Sequence, residues 1–167
     1  MEKRRLPPNV WLEIQRSIPI TCVDLFLTRR AANGDIDCGL IFRETPHQGR
    51  RWCLIGGRLL INESFDEGIN RELRSALGDK VECIQKSALQ PIFVAEYFSE
   101  HRLGRLFDPR QHAIGLVFRV EIHGDVNPGG EEALKFKWFK SSQLPNSKLF
   151  GFGQEAVVAA CLSRILP

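Results

Sequence analysis

Gly56 and Gly57 run directly into Arg58, and an acid, Glu72, follows downstream in a segment of helical character. Glycine lets backbone come close to a ligand. Arginine grips the oxygens of a diphosphate with a planar fork of donors. A carboxylate beside that loop can hold Mg²⁺ or Mn²⁺ against the same oxygens, because such ions take one or two protein carboxylates plus substrate phosphates. The chemistry these residues suit is therefore the handling of a diphosphate. Arg43, Arg50 and Arg51 crowd the approach to the glycine pair. They read either as part of that site or as a solvated basic face.

These groups need a strand, a loop and a helix to position them. Ile69, Leu73 and Leu77 recur at helical spacing and turn toward a core. Glu72, Ser75 and Ala76 are three and four residues apart and share another face, which puts Glu72 on the site or solvent side. Ser64 or Asp66 caps this helix and Gly78 stops it. Glu63 and Arg71 read as an ion pair stapling the preceding loop to the helix. Upstream, residues 20–28 (ITCVDLFLT) form a strand with one internal acid, Asp24. Asn33-Gly34 marks a turn, and residues 38–42 form the returning strand. Residues 43–51 read as a polar loop and 52–57 as a short buried strand ending in the glycine pair.

Downstream, residues 88–100 and 112–124 read as strands separated by a loop over 101–111. Residues 127–132 form a turn, 133–140 an alternating strand, 141–153 a loop and 154–166 a helix. Pro7 and Pro8 open a short N-terminal helix with Val10, Trp11 and Ile14 on its apolar side. Mixed strands with two or three helices imply a layered α/β or α+β domain.

The 167 residues are expected to form a single domain spanning 1–167. A net charge of +3 is too small to argue for nucleic acid. No apolar run of about 18 residues suggests a membrane span, and the charged, proline-broken N-terminus does not read as a signal peptide. Five cysteines without a CxxC or Cys/His cluster read as reduced thiols of a cytoplasmic protein.

Gly57, Glu63, Arg71, Glu72, Leu73 and Gly78 have the spacing of a Nudix box, and the stretch 57–79 resembles one. The box has two adjacent glutamates where this chain has Ser75 and Ala76, and an apolar residue where it has Asp79. The resemblance implies the Nudix fold, an α/β/α sandwich with a mixed β-sheet. Residues 8–140 look closest to the GDP-mannose mannosyl hydrolase branch, through RSIPITCVDLFLT, RETPHQGRRW, QHAIGLVFRVEI and FKWFK. That branch implies substrate contacts at Asp24, near the sugar, and at Arg43, Gly57 and Arg58, at the diphosphate. It implies metal contacts at Gly57, Glu72 and Glu132, and catalytic roles for Glu72, Arg58 and Glu132. Glu63, Arg71 and Gly78 would shape the box. A homodimer is one assembly the resemblance suggests, with Trp11 suited to a partner surface.

The chain also departs from the branch. Its metal-binding glutamine and basic histidine align with Glu132 and Ala133. Glu131 is a further acid that could converge on Glu72. His47 is a candidate replacement base, and His112 reads either as a site residue or as a strand histidine. Tyr97 and Phe98 read as a base-stacking wall or as core. Two functions follow. One is a hydrolase of a nucleoside diphosphate linked to another group, with a nucleotide sugar such as GDP-mannose as the expected substrate, cleaving at phosphorus or at the anomeric carbon. The other is a catalytically impaired module that binds a nucleotide or nucleotide sugar.

Overall fold

Residues 20–30 form the strand around which the rest of the protein is arranged. In this computed structural model the described residues are 6–32, 34–84, 90–129 and 132–166. The elements run α1 (Pro8–Ser17), β1 (Ile20–Arg30), β2 (Ile36–Thr45), β3 (Gly49–Cys53), β4 (Ile55–Arg58), α2 (Phe65–Leu77) and β5 (Glu82–Cys83). They continue through β6 (Phe93–Phe98), β7 (Leu106–Phe107), β8 (Ala113–Val120), β9 (Ile122–His123), β10 (Lys135–Lys140) and α3 (Gln154–Ile165).

β1 is buried on both faces from Val23 to Thr28 and mostly apolar there, as a strand covered on both sides should be. It runs parallel to β8, from Ile20 opposite Ala113 to Leu27 opposite Val120. Its other edge is shared: Cys22–Leu25 pair with β4 and Leu27–Arg30 with β2, both antiparallel. The sheet order is β10-β2-β1-β8-β6-β7, with β3 on β2 and β4 on β1. Successive side chains of β1 alternate between faces. Val23, Leu25 and Leu27 meet Ile69, Leu73 and Leu77 of α2 on one side. Phe26 packs with Val157, Val158 and Cys161 of α3 on the other. Helix, mixed sheet and helix form the expected α/β/α sandwich.

The start of α2 follows from local chemistry. Ser64 Oγ accepts the Glu67 amide at 3.3 Å, and Glu67 Oε2 accepts the Ser64 amide at 2.8 Å, a capping box. Of the two candidate caps, Ser64 serves, and Asp66 lies in the first turn. Gly78 closes the helix at φ +94°, a conformation glycine adopts without a Cβ penalty. Ser64→Ala is expected to cost about 1 kcal/mol in chemical denaturation.

Three local expectations need correction. Residues 43–51 are not an open loop: β2 runs to Thr45 and β3 begins at Gly49. Thr45 Oγ donates to the Gly49 carbonyl at 2.7 Å and accepts the Gln48 amide at 3.0 Å, so the hydroxyl closes the hairpin. The strand expected over 52–57 is divided at Leu54 into β3 and β4. Ala76, one helical turn after Glu72, does not line the cavity with it; it is buried in the core on the α2 side, while Ser75 is exposed. Asn33 of the expected turn and Glu131 lie outside the described residues. None of the five cysteines is joined in a disulfide. Among the described residues no helix is long and apolar enough to cross a membrane.

Candidate functional site

β1, β2, β4 and α2 meet at a cavity of about 530 Å³. Its lining includes all six residues expected at the site: Asp24, Arg43, Gly57, Arg58, Glu72 and Glu132. They come from four elements and the turn before β10. The topology accounts for their meeting, since β4 returns along β1 with Gly56 opposite Asp24 and Arg58 opposite Cys22.

Arg71 organises the box. Its Nε and Nη2 donate to the two Glu63 oxygens at 2.6 and 2.8 Å, and Nη2 also donates to the Arg58 carbonyl at 2.9 Å. Nη1 pairs with Glu72 Oε1. Glu63 Oε2 additionally accepts the Leu60 amide at 2.9 Å. Glu63 and Arg71 thus clamp the loop onto the helix, as the sequence suggested. Glu72 is buried, and loss of solvent pushes its carboxyl upward while Arg71 pulls it down and Glu132 adds to the rise. Gly57 lies so close to that carboxylate that a Cβ there would sit 2.3 Å from Glu72 Oε1.

Three arginines on different segments line the cavity. Arg43 pairs with Glu132 at 3.4 Å, and its buried Nε makes no hydrogen bond among the described residues. Arg58 lies over the Trp11 ring, 4.0 Å from its centroid. Trp11 therefore turns its indole to the cavity instead of outward. Arg110 is gripped by Asp108 through two bonds, 2.9 and 2.7 Å long. The Arg110 loop is tied to α1 by a hydrogen bond from Gln15 to Gln111 at 2.8 Å.

Sequence reasoning missed Arg110, Asp108 and Gln154. The short Asp-Pro-Arg run was a signal for the first two, since an aspartate two residues before an arginine can hold its guanidinium from one loop. Gln154 carried none beyond its place at the start of the last helix. Tyr97 lines the cavity, but through its hydroxyl, which lies between Asp24 Oδ2 at 3.3 Å and Gln154 Nε2 at 3.1 Å. Phe98 instead stacks on His112, which also lies 3.3 Å from Glu96. His112 is thereby a partnered strand-edge histidine. His47 sits edge-on to Phe107 and Phe152, outside the cavity lining, with both ring nitrogens buried and unpartnered among the described residues. Burial pushes its proton affinity down.

The titration pattern separates the acids. Asp24 is buried and, of the charged groups near it, only Glu72 contributes, with the wrong sign for stabilising a carboxylate; its pKa is raised from 3.8 to about 7, and the Tyr97 hydrogen bond limits the rise. Cys22 beside it is pushed up to about 12 by burial, then by Asp24, and is not a nucleophile.

The donor set fits a divalent ion poorly. Ala76 offers carbon and points into the core, and Ser75 faces solvent. Glu72 is engaged by Arg71 and Glu132 by Arg43. Among the described residues no three of His, Cys, Asp and Glu gather at metal-binding separation.

A family model described as Domain of unknown function (DUF4916) matches residues 6–165. No curated protein matches the chain. Among solved structures the chain is similar to one described as a possible asymmetric diadenosine tetraphosphate (Ap4A) hydrolase from Jonesia denitrificans. The TM-score is 0.78 at 25% identity, covering 89% of this chain and 95% of that one. It is also similar to the NUDIX domain of Shewanella oneidensis NrtR, solved with ADP ribose, with TM-score 0.66, 14% identity and coverage of 96% and 99%. A third similar structure is a bifunctional NMN adenylyltransferase/ADP ribose pyrophosphatase from Francisella tularensis, complexed with AMP and a Mn ion. There the TM-score is 0.65 at 16% identity, over 93% of this chain and 44% of that one. The fold is the Nudix fold.

Proposed function

The chain belongs to the DUF4916 family, and from its Nudix fold and its cavity we propose that it is a hydrolase of a nucleoside diphosphate linked to a second group. The observation that carries this reading is the convergence of Arg43, Arg58 and Arg110 on one cavity beside the box helix. Three fork-shaped cations suit the bridging and terminal oxygens of a diphosphate, and they stabilise charge that develops on the leaving phosphate. A volume of about 530 Å³ suits a small-molecule ligand. A nucleotide sugar such as GDP-mannose is the substrate class we favour.

In this reading Arg58 and Arg110 bind the diphosphate directly, and Arg43 joins them when substrate oxygens displace Glu132. Glu72 holds Arg71, which in turn fixes the Arg58 carbonyl and the loop at Gly57. Among the described residues Glu72 and Glu132, the acids expected to hold Mg²⁺ or Mn²⁺, are both already ion-paired, so no step is routed through a metal. Glu72→Gln preserves an acceptor for Arg71 and is expected to lower kcat/KM by no more than about tenfold, the difference between a charge-assisted and a neutral hydrogen bond. A loss of several hundredfold would instead mark Glu72 as a metal ligand.

The position of Ala76 in the core favours a second reading, a module that binds the same ligands without cleaving them. The two separate when nucleoside diphosphate sugars and dinucleotides are incubated with the protein and analysed both for products and for a rise in melting temperature. Products support the hydrolase. A thermal shift without products favours the binding module, and neither response rejects both.

A further inference from the structure

Asp24 occupies a slot made for a carboxyl group. Its side chain lies flat on the sheet between two glycines of neighbouring strands. A Cβ at Gly56 would meet Oδ1 at 2.3 Å, and one at Gly115 would meet Oδ2 at 2.3 Å. No other residue type fits at either position without moving the acid.

One hydrogen-bond chain of fixed direction ends on it. The Leu54 amide donates to Gln154 Oε1 at 2.9 Å, which fixes the amide of Gln154 with its nitrogen toward Tyr97. Gln154 Nε2 then donates to the Tyr97 hydroxyl at 3.1 Å. The single hydroxyl proton of Tyr97 is left to point at Asp24 Oδ2, 3.3 Å away. Oδ2 is committed as an acceptor, and Oδ1, over Gly56 in the cavity lining, is left to take or give a proton.

We infer that Asp24 is the proton acceptor for the attacking water, with Tyr97 and Gln154 as positioning residues that set its proton affinity. This rests on the hydrolase reading above. As the water oxygen bonds to phosphorus, its proton passes to Asp24 Oδ1. The phosphorus–oxygen bond to the leaving phosphate breaks with its electron pair on that oxygen, and Asp24 then releases the proton to solvent. The titratable groups facing Asp24 do not compete for this role. Cys22 on β1, Cys53 on β3 and Cys161 on α3 are pushed up to about 12, 11 and 11 and stay neutral. The Tyr97 hydroxyl on β6 is pushed well above its ordinary value. Glu72 on α2 is held by Arg71. β8 presents Gly115 and β4 presents Gly56.

The test combines pH–rate profiles with carbon-13 NMR titration of labelled aspartate carboxyls, for wild type, Asp24→Asn, Tyr97→Phe and Gln154→Ala. The wild-type kcat/KM should rise with pH through the neutral range. Asp24→Asn should lose that limb and about 10²–10⁴-fold in rate. Tyr97→Phe should retain a plateau but move the limb and the carboxyl titration to higher pH, because the hydrogen bond that favours the carboxylate is gone. Gln154→Ala should move both in the same direction by less. A purely structural role for Tyr97 would lower stability without moving either curve, and that overturns the proposal. So does wild-type turnover by Asp24→Asn. A wild type that cleaves nothing sinks the hydrolase reading alone. The carbon-13 titration needs no substrate, and an Asp24 carboxyl titrating in the ordinary carboxylate range overturns the inference by itself.

Discussion

Replacing Arg58 by alanine is expected to lower kcat/KM toward a cleaved nucleoside diphosphate derivative by about 10²–10³-fold, the usual effect of removing one preorganised donor from developing charge. Arg58 ends β4 directly after the glycine pair, and Arg71 fixes its backbone through the carbonyl. Its side chain makes no ion pair among the described residues and rests on the Trp11 ring at 4.0 Å. A contact of that kind at a half-exposed position contributes about 0.5–1 kcal/mol. For a chain of this length the melting temperature should therefore fall by less than about 4 °C. Arg58→Lys restores charge without the fork and should recover only part of the rate. A variant that melts far lower and cleaves its substrate at the wild-type rate would make Arg58 a structural residue.

The second large effect concerns stability. Asp24→Asn is expected to stabilise the fold at pH 8 by roughly 2–4 kcal/mol and to change it little at pH 3. The Asp24 carboxyl goes from 3.8 to about 7 on folding, mainly because burial penalises its charge. Between those values the folded state holds more protons than the unfolded state, so stability falls as pH rises through that window. Below 3.8 both states are protonated and the cost is absent; above about 7 it is complete. Asparagine has no such proton, still accepts the Tyr97 hydroxyl, and offers its amide to the cavity. Denaturant midpoints of wild type and variant should converge at low pH and separate as pH rises. Parallel curves would mean that Asp24 titrates alike in both states. An acid kept in a site that destabilises it at neutral pH is the pattern of a group retained for chemistry.

The parts of this architecture written in local sequence were the ones that could be read. The helix at Phe65–Leu77 carries its own periodicity, its capping box and its terminal glycine within a short span. β1 announced itself by its apolar run. The β2–β3 hairpin did not, because Arg43, Glu44, Arg50 and Arg51 give its paired strands the polarity of a loop. The pairing is specified instead by the Thr45 hydroxyl across the turn. Ala76 was placed on the acidic face because helical spacing gives neighbours, not surroundings, and the sheet decides which of those neighbours is covered. Asp24, Arg43, Gly57, Arg58, Glu72 and Glu132 were named together through a family resemblance, and they share one cavity. Arg110 showed only as a short Asp-Pro-Arg run in a loop, and Gln154 was not legible: it reaches the site from a distant segment, and only the tertiary fold brings it to Tyr97.

The most direct measurement is product formation from a panel of nucleoside diphosphate sugars and dinucleotides, run with Mg²⁺, with Mn²⁺ and with chelator, using wild type beside Arg58→Ala. The expected result is cleavage of at least one nucleoside diphosphate derivative that depends on Arg58 and falls by less than about tenfold in chelator, since the cavity cations are arginines. Absence of product from every member under every condition would contradict the account.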